Sequence, residues 1–355
     1  RGHKIKRGWL MANLNIRTPR FYPCLANHRM ATGSAQNGNF DVMSGGNLIS
    51  AFTQGSEPEL FDLRPMNQCS WDTSSTTTLQ DDHVLVNMDT GGGFNVDFVA
   101  ILNHNMATAD AKFKVGHSGT ESNVNAADMS GDTDIASVTQ VVNADTINGN
   151  VVTPGTDGST IITFTSSSNR YWGIQFEGIT GQTNTASGDG KFDTANDLKI
   201  GCIIFGEFYN APHAPDLSIK RSVMYDGVNV QESAGGQRYG NATHRGRRWV
   251  GTGNQSPFVQ ASQSYYVYGG RMASYISADD LMPSDYKSEV SGSDTVVADV
   301  WNRTSGNLLP FIFTTDGSST AESDYLFARF GQNNLDMTQV ANDVFNISMR
   351  IEEEF

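Results

Sequence analysis

At 355 residues the chain is longer than one core usually supports, since single cores stop growing near ~250 to 300 residues, so two domains are expected. Only 17% of its residues are charged, against ~25% in ordinary globular proteins, and its 36 glycines accompany many Ser, Thr and Asn, which suits short strands and many turns and excludes a helical bundle. The net charge of -14 is uneven: residues 1 to 20 carry Arg1, Lys4, Lys6, Arg7, Arg17 and Arg20 with no acid, leaving 18 basic against 38 acidic residues beyond them, and phosphate backbones repel such a body, which excludes general nucleic-acid binding.

Residues 1–39 read as an extended N-terminal arm. Met11 is a candidate start, with residues 1–10 as upstream sequence. After KIKRG only WLM precedes polar Asn13 and Asn15, so no signal-peptide core is expected there. The chain also lacks an apolar run of about 18 residues, so no membrane insertion is expected. From residue 40 onward, isolated apolar residues such as Phe40, Val42, Leu48, Ile49 and Phe52 predict short edge strands.

Between His83 and Ser118 three strand-like runs follow one another. In the first, Val84, Val86 and Met88 share one face. In the third, Ala111, Phe113 and Val115 point one way while Lys112 and Lys114 point the other, the alternation of a half-buried strand. The middle run, residues 96–102, is apolar on both faces except for Asp97, which predicts the central strand of the group. Further strands are expected at residues 135–142, 149–152, 160–165, 170–176 and 198–209, separated by Gly- and Asn-rich turns. Short strands at this spacing point to a sandwich, because each buries one face and needs a facing sheet.

The prolines of APHAP, residues 211–215, mark a domain boundary, giving a first domain at 40–210 and a second at 211–355. In the second, strands are expected at 222–225 and 228–230 around Asp226 and Gly227, a dipeptide suited to a hairpin turn, and at 247–250, 264–268, 272–276, 296–301, 310–313 and 325–330. Residues 335–342 read as one short helix. The terminal run, with Phe345, Ile347, Met349 and Ile351 alternating with polar residues, is the clearest amphipathic strand in the chain.

Catalytic and cofactor motifs are absent from the sequence: there is no GxSxG, HExxH, Walker-type or dinucleotide-binding pattern, and Gly91 to Gly93 precede a strand instead of a helix, so no enzyme activity and no cofactor are expected. Cys24, Cys69 and Cys202 form no CxxC pair, and buried free thiols are expected. The oxygen-rich segment holding Asp189, Asp193, Asn196 and Asp197 departs from the EF-hand pattern and reads as a solvated loop, with no metal site.

Two resemblances add to this reading. The order of elements from Trp71 through HVLVNMD, VDFVAILNHN, AKFKVGHS and RYWGIQF to CIIFGEFY resembles the discoidin or galactose-binding-like family of jelly-roll sandwiches. The segments MYDGVNVQESAGGQRYG, RGRRWV, WNRTSGNLLPFIFTTDG and FNISMRIEEEF resemble structural proteins of tailed-phage virions, of tail or baseplate type. Together they imply an all-β chain of two β-sandwich domains, the first a jelly roll, behind the N-terminal arm. The second implies a non-enzymatic virion component, assembled in the host cytoplasm, whose partners are copies of itself and other virion proteins. The interface residues expected on that reading are Arg245, Arg247, Arg248 and Trp249, with Glu352, Glu353 and Glu354 as their acidic counterpart. The first resemblance implies the alternative, a carbohydrate-binding adhesin or receptor-binding module facing host surface glycans. Its candidate site is Trp71, as aromatic platform, with Asn103, His104 and Asn105. The competing reading puts Trp71 in the core and spends the three polar residues on loop backbone.

Overall fold

The structure is a computed structural model that describes residues 17–25, 39–44, 48–76, 82–92, 94–125, 129, 134–147, 150–179, 190–211, 219–226, 228–242, 260–267, 295–341 and 344–354. Its strands, in chain order, are β1 (Arg20–Pro23), β2 (Asn39–Val42), β3 (Phe52–Gln54), β4 (Cys69–Trp71), β5 (His83–Asp89), β6 (Val96–His104), β7 (Ala111–Ser118), β8 (Asp134–Ile135), β9 (Val138–Val142), β10 (Ala144–Ile147), β11 (Val151–Pro154) and β12 (Gly158–Ser167). They continue as β13 (Tyr171–Gly178), β14 (Leu198–Ile200), β15 (Cys202–Gly206), β16 (Tyr209–Asn210), β17 (Ile219–Asp226), β18 (Val228–Glu232), β19 (Arg238–Ala242), β20 (Gln260–Val267), β21 (Phe311–Thr314), β22 (Tyr325–Phe330), β23 (Asp336–Ala341) and β24 (Val344–Glu353).

The chain is all-β, and its first half is a sandwich. One sheet runs β10-β11-β7-β13-β5-β2, with β8 on β7, and the facing sheet runs β15-β6-β12-β9. The chain crosses between them at almost every step, β5 to β6 to β7 and later β12 to β13 to β15, which is jelly-roll connectivity. The three successive runs therefore do not form one group. β5 and β7 flank β13, and β6 lies between β15 and β12 in the other sheet.

β6 is apolar on both faces because a third layer covers it. That layer is the sheet β16-β1-β21-β22-β24-β20-β17, with β23 on β24. Tyr22 of β1 meets Phe98 of β6 edge-on at 5.0 Å, and Tyr22, Ile312, Tyr325 and Phe327 share one core with the sandwich residues. The opposite face of the same sheet carries Phe21, Phe311, Phe313 and Phe330, which pack with Val296, Val297 and Val300 into a second core. Arg20–Pro23 lies inside the stretch expected to be an extended arm, yet both of its aromatic residues are fully buried. Burial of two aromatic side chains, worth several kcal/mol, together with main-chain pairing to β16 and β21, offsets the entropy of ordering four residues.

Three further expectations change. Residues 296–301, read as a strand, are in a helical turn, Val297–Asn302, whose buried stripe covers the third sheet. The expected helix at 335–342 is instead β23, paired along β24. Asp226 ends β17, which pairs with β20, so the hairpin is β18 with β19, turning through Ser233 to Gln237. The expected strands at 247–250 and 272–276 lie outside the described residues. Cys24, Cys69 and Cys202 are buried free thiols, as expected. Burial raises the Cys69 thiol to about 11 and holds Cys202 well above the ordinary thiol value.

Candidate functional site

The four residues proposed from sequence as a ligand site are used inside the fold. Trp71 is fully buried, 5.0 Å from the Phe52 ring, and offers no exposed face to a sugar. Asn103 takes a left-handed backbone (φ 52°), where its amide donates to the Pro65 carbonyl at 2.7 Å and its own carbonyl accepts from Gln68 Nε2 at 2.8 Å. His104 is 2% exposed. Its Nδ1 accepts from the Met106 N–H at 3.2 Å, which leaves the proton on Nε2 to donate to Thr160 Oγ1 at 2.9 Å. Desolvation pushes its pKa down to about 3, so the ring is neutral. Asn105 donates to the Asp197 carbonyl at 2.8 Å and accepts from the Lys199 N–H at 2.7 Å. The physical reason is common to the three polar residues: a turn between buried strands must satisfy its backbone groups, and these side chains do so, while Trp71 packs in the core.

The acidic terminus is likewise engaged. Glu354 pairs with Arg329 at 3.1 Å, Glu352 pairs with Arg350, and Glu353 is 7% exposed. Glu352 and Glu354, expected as the acidic counterpart of a basic patch, thus pair with arginines of their own sheet. Arg245, Arg247, Arg248 and Trp249 lie outside the described residues. In the oxygen-rich segment, Asp193 accepts from the Ala195 N–H and Asn196 Nδ2, while Asp197 accepts from the Ser74 N–H and hydroxyl. The two carboxylates serve separate turns. Among the described residues no group of three His, Cys, Asp or Glu side chains is placed to hold a metal ion.

A different site opens at the β2 edge of the first sheet. β5 and β13 run antiparallel with Asp89 opposite Tyr171 and Asn87 opposite Gly173, while β2 sets Asp41 opposite Asn87. These residues alternate with the core-facing Val84, Val86 and Met88, so they share the outer face. The short helical turn Glu121–Val124 packs over that face, with Val124 buried. Gly173 is needed beneath it: a Cβ there would sit 2.8 Å from Met129 Sδ and 3.2 Å from Asn87 Oδ1. The result is a cleft of about 360 Å³ walled by Phe40, Asp41, Met43, Asn87, Met88, Asp89, Glu121, Val124, Asn125 and Tyr171.

The cleft has an aromatic wall and an oriented polar floor. Arg170 grips Asp89 with two hydrogen bonds, Nε to Oδ1 at 2.7 Å and Nη2 to Oδ2 at 2.8 Å, and its guanidinium lies 5.0 Å from the centre of the Tyr171 ring. Burial alone would raise the Asp89 pKa, but the Arg170 hydrogen bonds and charge and the Gly91 N–H hold it below the ordinary carboxylate value, so Asp89 stays ionised. Asn87 is 8% exposed, and its Nδ2 donates to Asn125 Oδ1. Its Oδ1 is sealed from solvent and has no donor among the described residues. An unpaired buried acceptor costs roughly 1 to 3 kcal/mol. The sequence signal for this site was the polar alternate of the first run, Asn87 and Asp89, opposite the face that was read as core.

No protein-family profile matches the sequence, and no curated protein matches it. Among solved structures, the chain is similar to chitosan-binding module 1 derived from a chitosanase/glucanase of Paenibacillus sp. IK-5, at 12% identity and a TM-score of 0.30, over 48% of this chain and 94% of the module. It is also similar to CBM32-1 from a family 31 glycoside hydrolase of Clostridium perfringens, at 10% identity and a TM-score of 0.29, over 48% and 94%. A third is CpGH89CBM32-4 of Clostridium perfringens, in complex with glcNAc-alpha-1,4-galactose, at 15% identity and a TM-score of 0.28, over 56% and 100%.

Proposed function

We propose that this chain binds carbohydrate, non-catalytically, in the cleft between β2, β5, β13 and the Glu121–Val124 turn. The observation that carries the reading is the pairing, in one cleft, of a half-buried aromatic ring, Tyr171, with the ionised and partly exposed Asp89 carboxylate that Arg170 holds in place. A sugar ring presents an apolar C–H face for stacking and hydroxyl donors at its edge, which matches that pair. At about 360 Å³ the cleft falls within the ~300 to 1,000 Å³ of small-molecule sites, large enough for a short saccharide. Arg170 holds both Asp89 and the tyrosine ring, so the site is formed before ligand arrives.

A glycan array probed with the full chain tests this reading. Binding is expected, and Tyr171→Ala is expected to weaken it about tenfold, roughly 1.4 kcal/mol, without lowering the melting temperature. An array with no bound glycan, or binding indifferent to Tyr171→Ala, removes the proposal.

A second reading, a subunit of a larger assembly such as a virion surface, is favoured by one feature. β18 and β19 form a ribbon that pairs with no other strand among the described residues, and Gln231 to Tyr239 are exposed, Tyr239 at 59%. A two-stranded ribbon is marginal alone in water, so a contact that covers it would stabilise it. Native mass measurement decides this reading: a strictly monomeric chain at high concentration counts against it. The two readings are compatible, since adhesins are often parts of assemblies.

A further inference from the structure

Away from the cleft, the polar face shared by β7 and β13 holds a side chain that the fold leaves unsatisfied. Register sets Gln175 opposite Lys114 and Glu177 opposite Lys112, so the four side chains leave the same side of the sheet. All are buried: Lys112 and Gln175 are 0% exposed, Glu177 2% and Lys114 7%. The Glu177 carboxylate lies between the lysines, with Oε1 3.1 Å from Lys114 Nζ and Oε2 3.4 Å from Lys112 Nζ. Gln175 differs from these. Neither its Nε2 nor its Oε1 has a hydrogen-bond partner among the described residues, and both atoms are sealed from solvent. A carboxamide brings two donors and an acceptor, and a buried one with none of its bonds made is costly and calls for a reason. Its neighbours supply one. Directly across the strand pair, where Cβ atoms stand ~4.5 to 5.5 Å apart, is an amine, and a carboxylate is already in contact with that amine.

We infer that Lys114 and Gln175 become joined by an amide bond between Nζ and Cδ, formed by the folded chain itself with Glu177 as the proton carrier. The Lys114 ammonium gives a proton to Glu177 Oε1, and the lone pair so freed on Nζ attacks Gln175 Cδ, moving the carbonyl π electrons onto the Gln175 oxygen. Glu177 passes its proton to Nε2, the bond from Cδ to Nε2 breaks, and the electron pair on oxygen re-forms the carbonyl. The attacking nitrogen gives up a second proton, which departs with the ammonia as ammonium. One C–N bond thus replaces another, and nothing is oxidised or reduced. The product carries one ammonium fewer beside Glu177, leaves Lys112 with that carboxylate, and turns the unsatisfied carboxamide into a secondary amide whose N–H can donate to it. Exclusion of water from the four side chains keeps hydrolysis from competing at Cδ. The bond ties β7 to β13 across the first sheet and fixes their register covalently.

The test is mass spectrometry of the purified full chain. Loss of one ammonia is expected to place the intact mass about 17 Da below the sequence mass, and a proteolytic digest is expected to contain one branched peptide in which Lys114 carries Gln175. Fragmentation of that peptide is decisive, because an asparagine that closes to an imide also loses ammonia but joins no two peptides. Lys114→Arg and, separately, Gln175→Met are each expected to show the full mass of their own sequences. Glu177→Gln is expected to do the same in its folded, soluble fraction, identified by circular dichroism. A parent chain in which Lys114 and Gln175 are recovered unmodified in separate peptides overturns the inference, whatever the variants show. A branch at Lys112 overturns the choice of lysine, and a branched peptide that persists in folded Glu177→Gln overturns the role given to the carboxylate.

Discussion

Asp97 interrupts the apolar run of β6 because it is needed at a joint. Its Oδ1 accepts from the Phe208 N–H at 2.8 Å, in the loop that leads from the sandwich to the third sheet. Burial raises its pKa to about 8, with the neighbouring Glu207 adding to the rise while Phe208 N–H, Arg303 and Arg20 oppose it. The unfolded carboxyl titrates near ~4, so the unfolded chain gives up its proton first as pH rises. The contribution of Asp97 is therefore fully present below about pH 4 and is lost as pH climbs to about 8, at up to about 1.4 kcal/mol per pH unit. Glu322, which accepts from the Ser159 N–H at 2.8 Å and is raised by burial to about 7, acts with the same sign. Urea unfolding between about pH 5 and about pH 8 is expected to show falling stability, with a shallower fall in Asp97→Asn. Parallel curves for the two proteins would refute the assignment. Sequence alone showed Asp97 as an exception but gave no reason for it, because the partner N–H is 111 residues away. The same limit applies to Trp71 and His104: residue type fits a sugar site and a core equally well, and only burial distinguishes them.

At the scale of elements, period decided what could be read. β24 was legible because its alternation is strict over eight residues, Phe345 to Glu352. Val296 to Trp301 was not, since a short apolar run fits a strand or a buried helical turn equally, and the sheet it covers is assembled from distant strands. β7 was half legible. Its lysines do point away from the core, yet Lys112 and Lys114 lie on a covered face, 3.4 and 3.1 Å from Glu177, with all three side chains less than a tenth exposed. Glu177 stands opposite Lys112 on β13, so one carboxylate compensates two ammonium groups. Removing its charge takes a close ion-pair partner from both lysines at once. Glu177→Gln is therefore expected to cost about 3 kcal/mol, more than Lys112→Met, which leaves Lys114 and Glu177 paired. Chemical denaturation of the two variants checks the order, and a larger loss for Lys112→Met would contradict it. The cleft belongs to this scale as well: Asn87, Asp89 and Tyr171 meet only through the register of β5 with β13, which no local pattern encodes.

Across the whole molecule, β1 is the element that joins the layers. Phe21 faces the second core, 5.0 Å from Phe313 and 5.8 Å from Phe311, while its neighbour Tyr22 faces the sandwich, 5.0 Å from Phe98 and 5.9 Å from Phe208. Arg20 extends the joint, donating to Gln140 of β9 at 2.9 Å, and Gln140 donates in turn to the Ser319 carbonyl at 2.7 Å. Four residues near the N-terminus thus bind the two halves through adjacent, oppositely directed rings. Cooperative unfolding follows when the contacts between parts are as buried as those within them. The described layers are therefore expected to melt in one calorimetric transition. Tyr22→Ala, a deletion of a fully buried aromatic, is expected to cost about 3 to 5 kcal/mol. Because Tyr22 touches β6 and, through Tyr325 at 6.0 Å, β22, hydrogen exchange in this variant is expected to rise in both strands together. A rise confined to β21 and β22, or a second calorimetric transition in the parent protein, would show instead that the sandwich is stable without its third layer. The cleft, built on β2, β5 and β13 in the sheet farthest from β1, would then keep its ligand affinity after Tyr22→Ala; with one cooperative unit, affinity and stability fall together near the midpoint of unfolding.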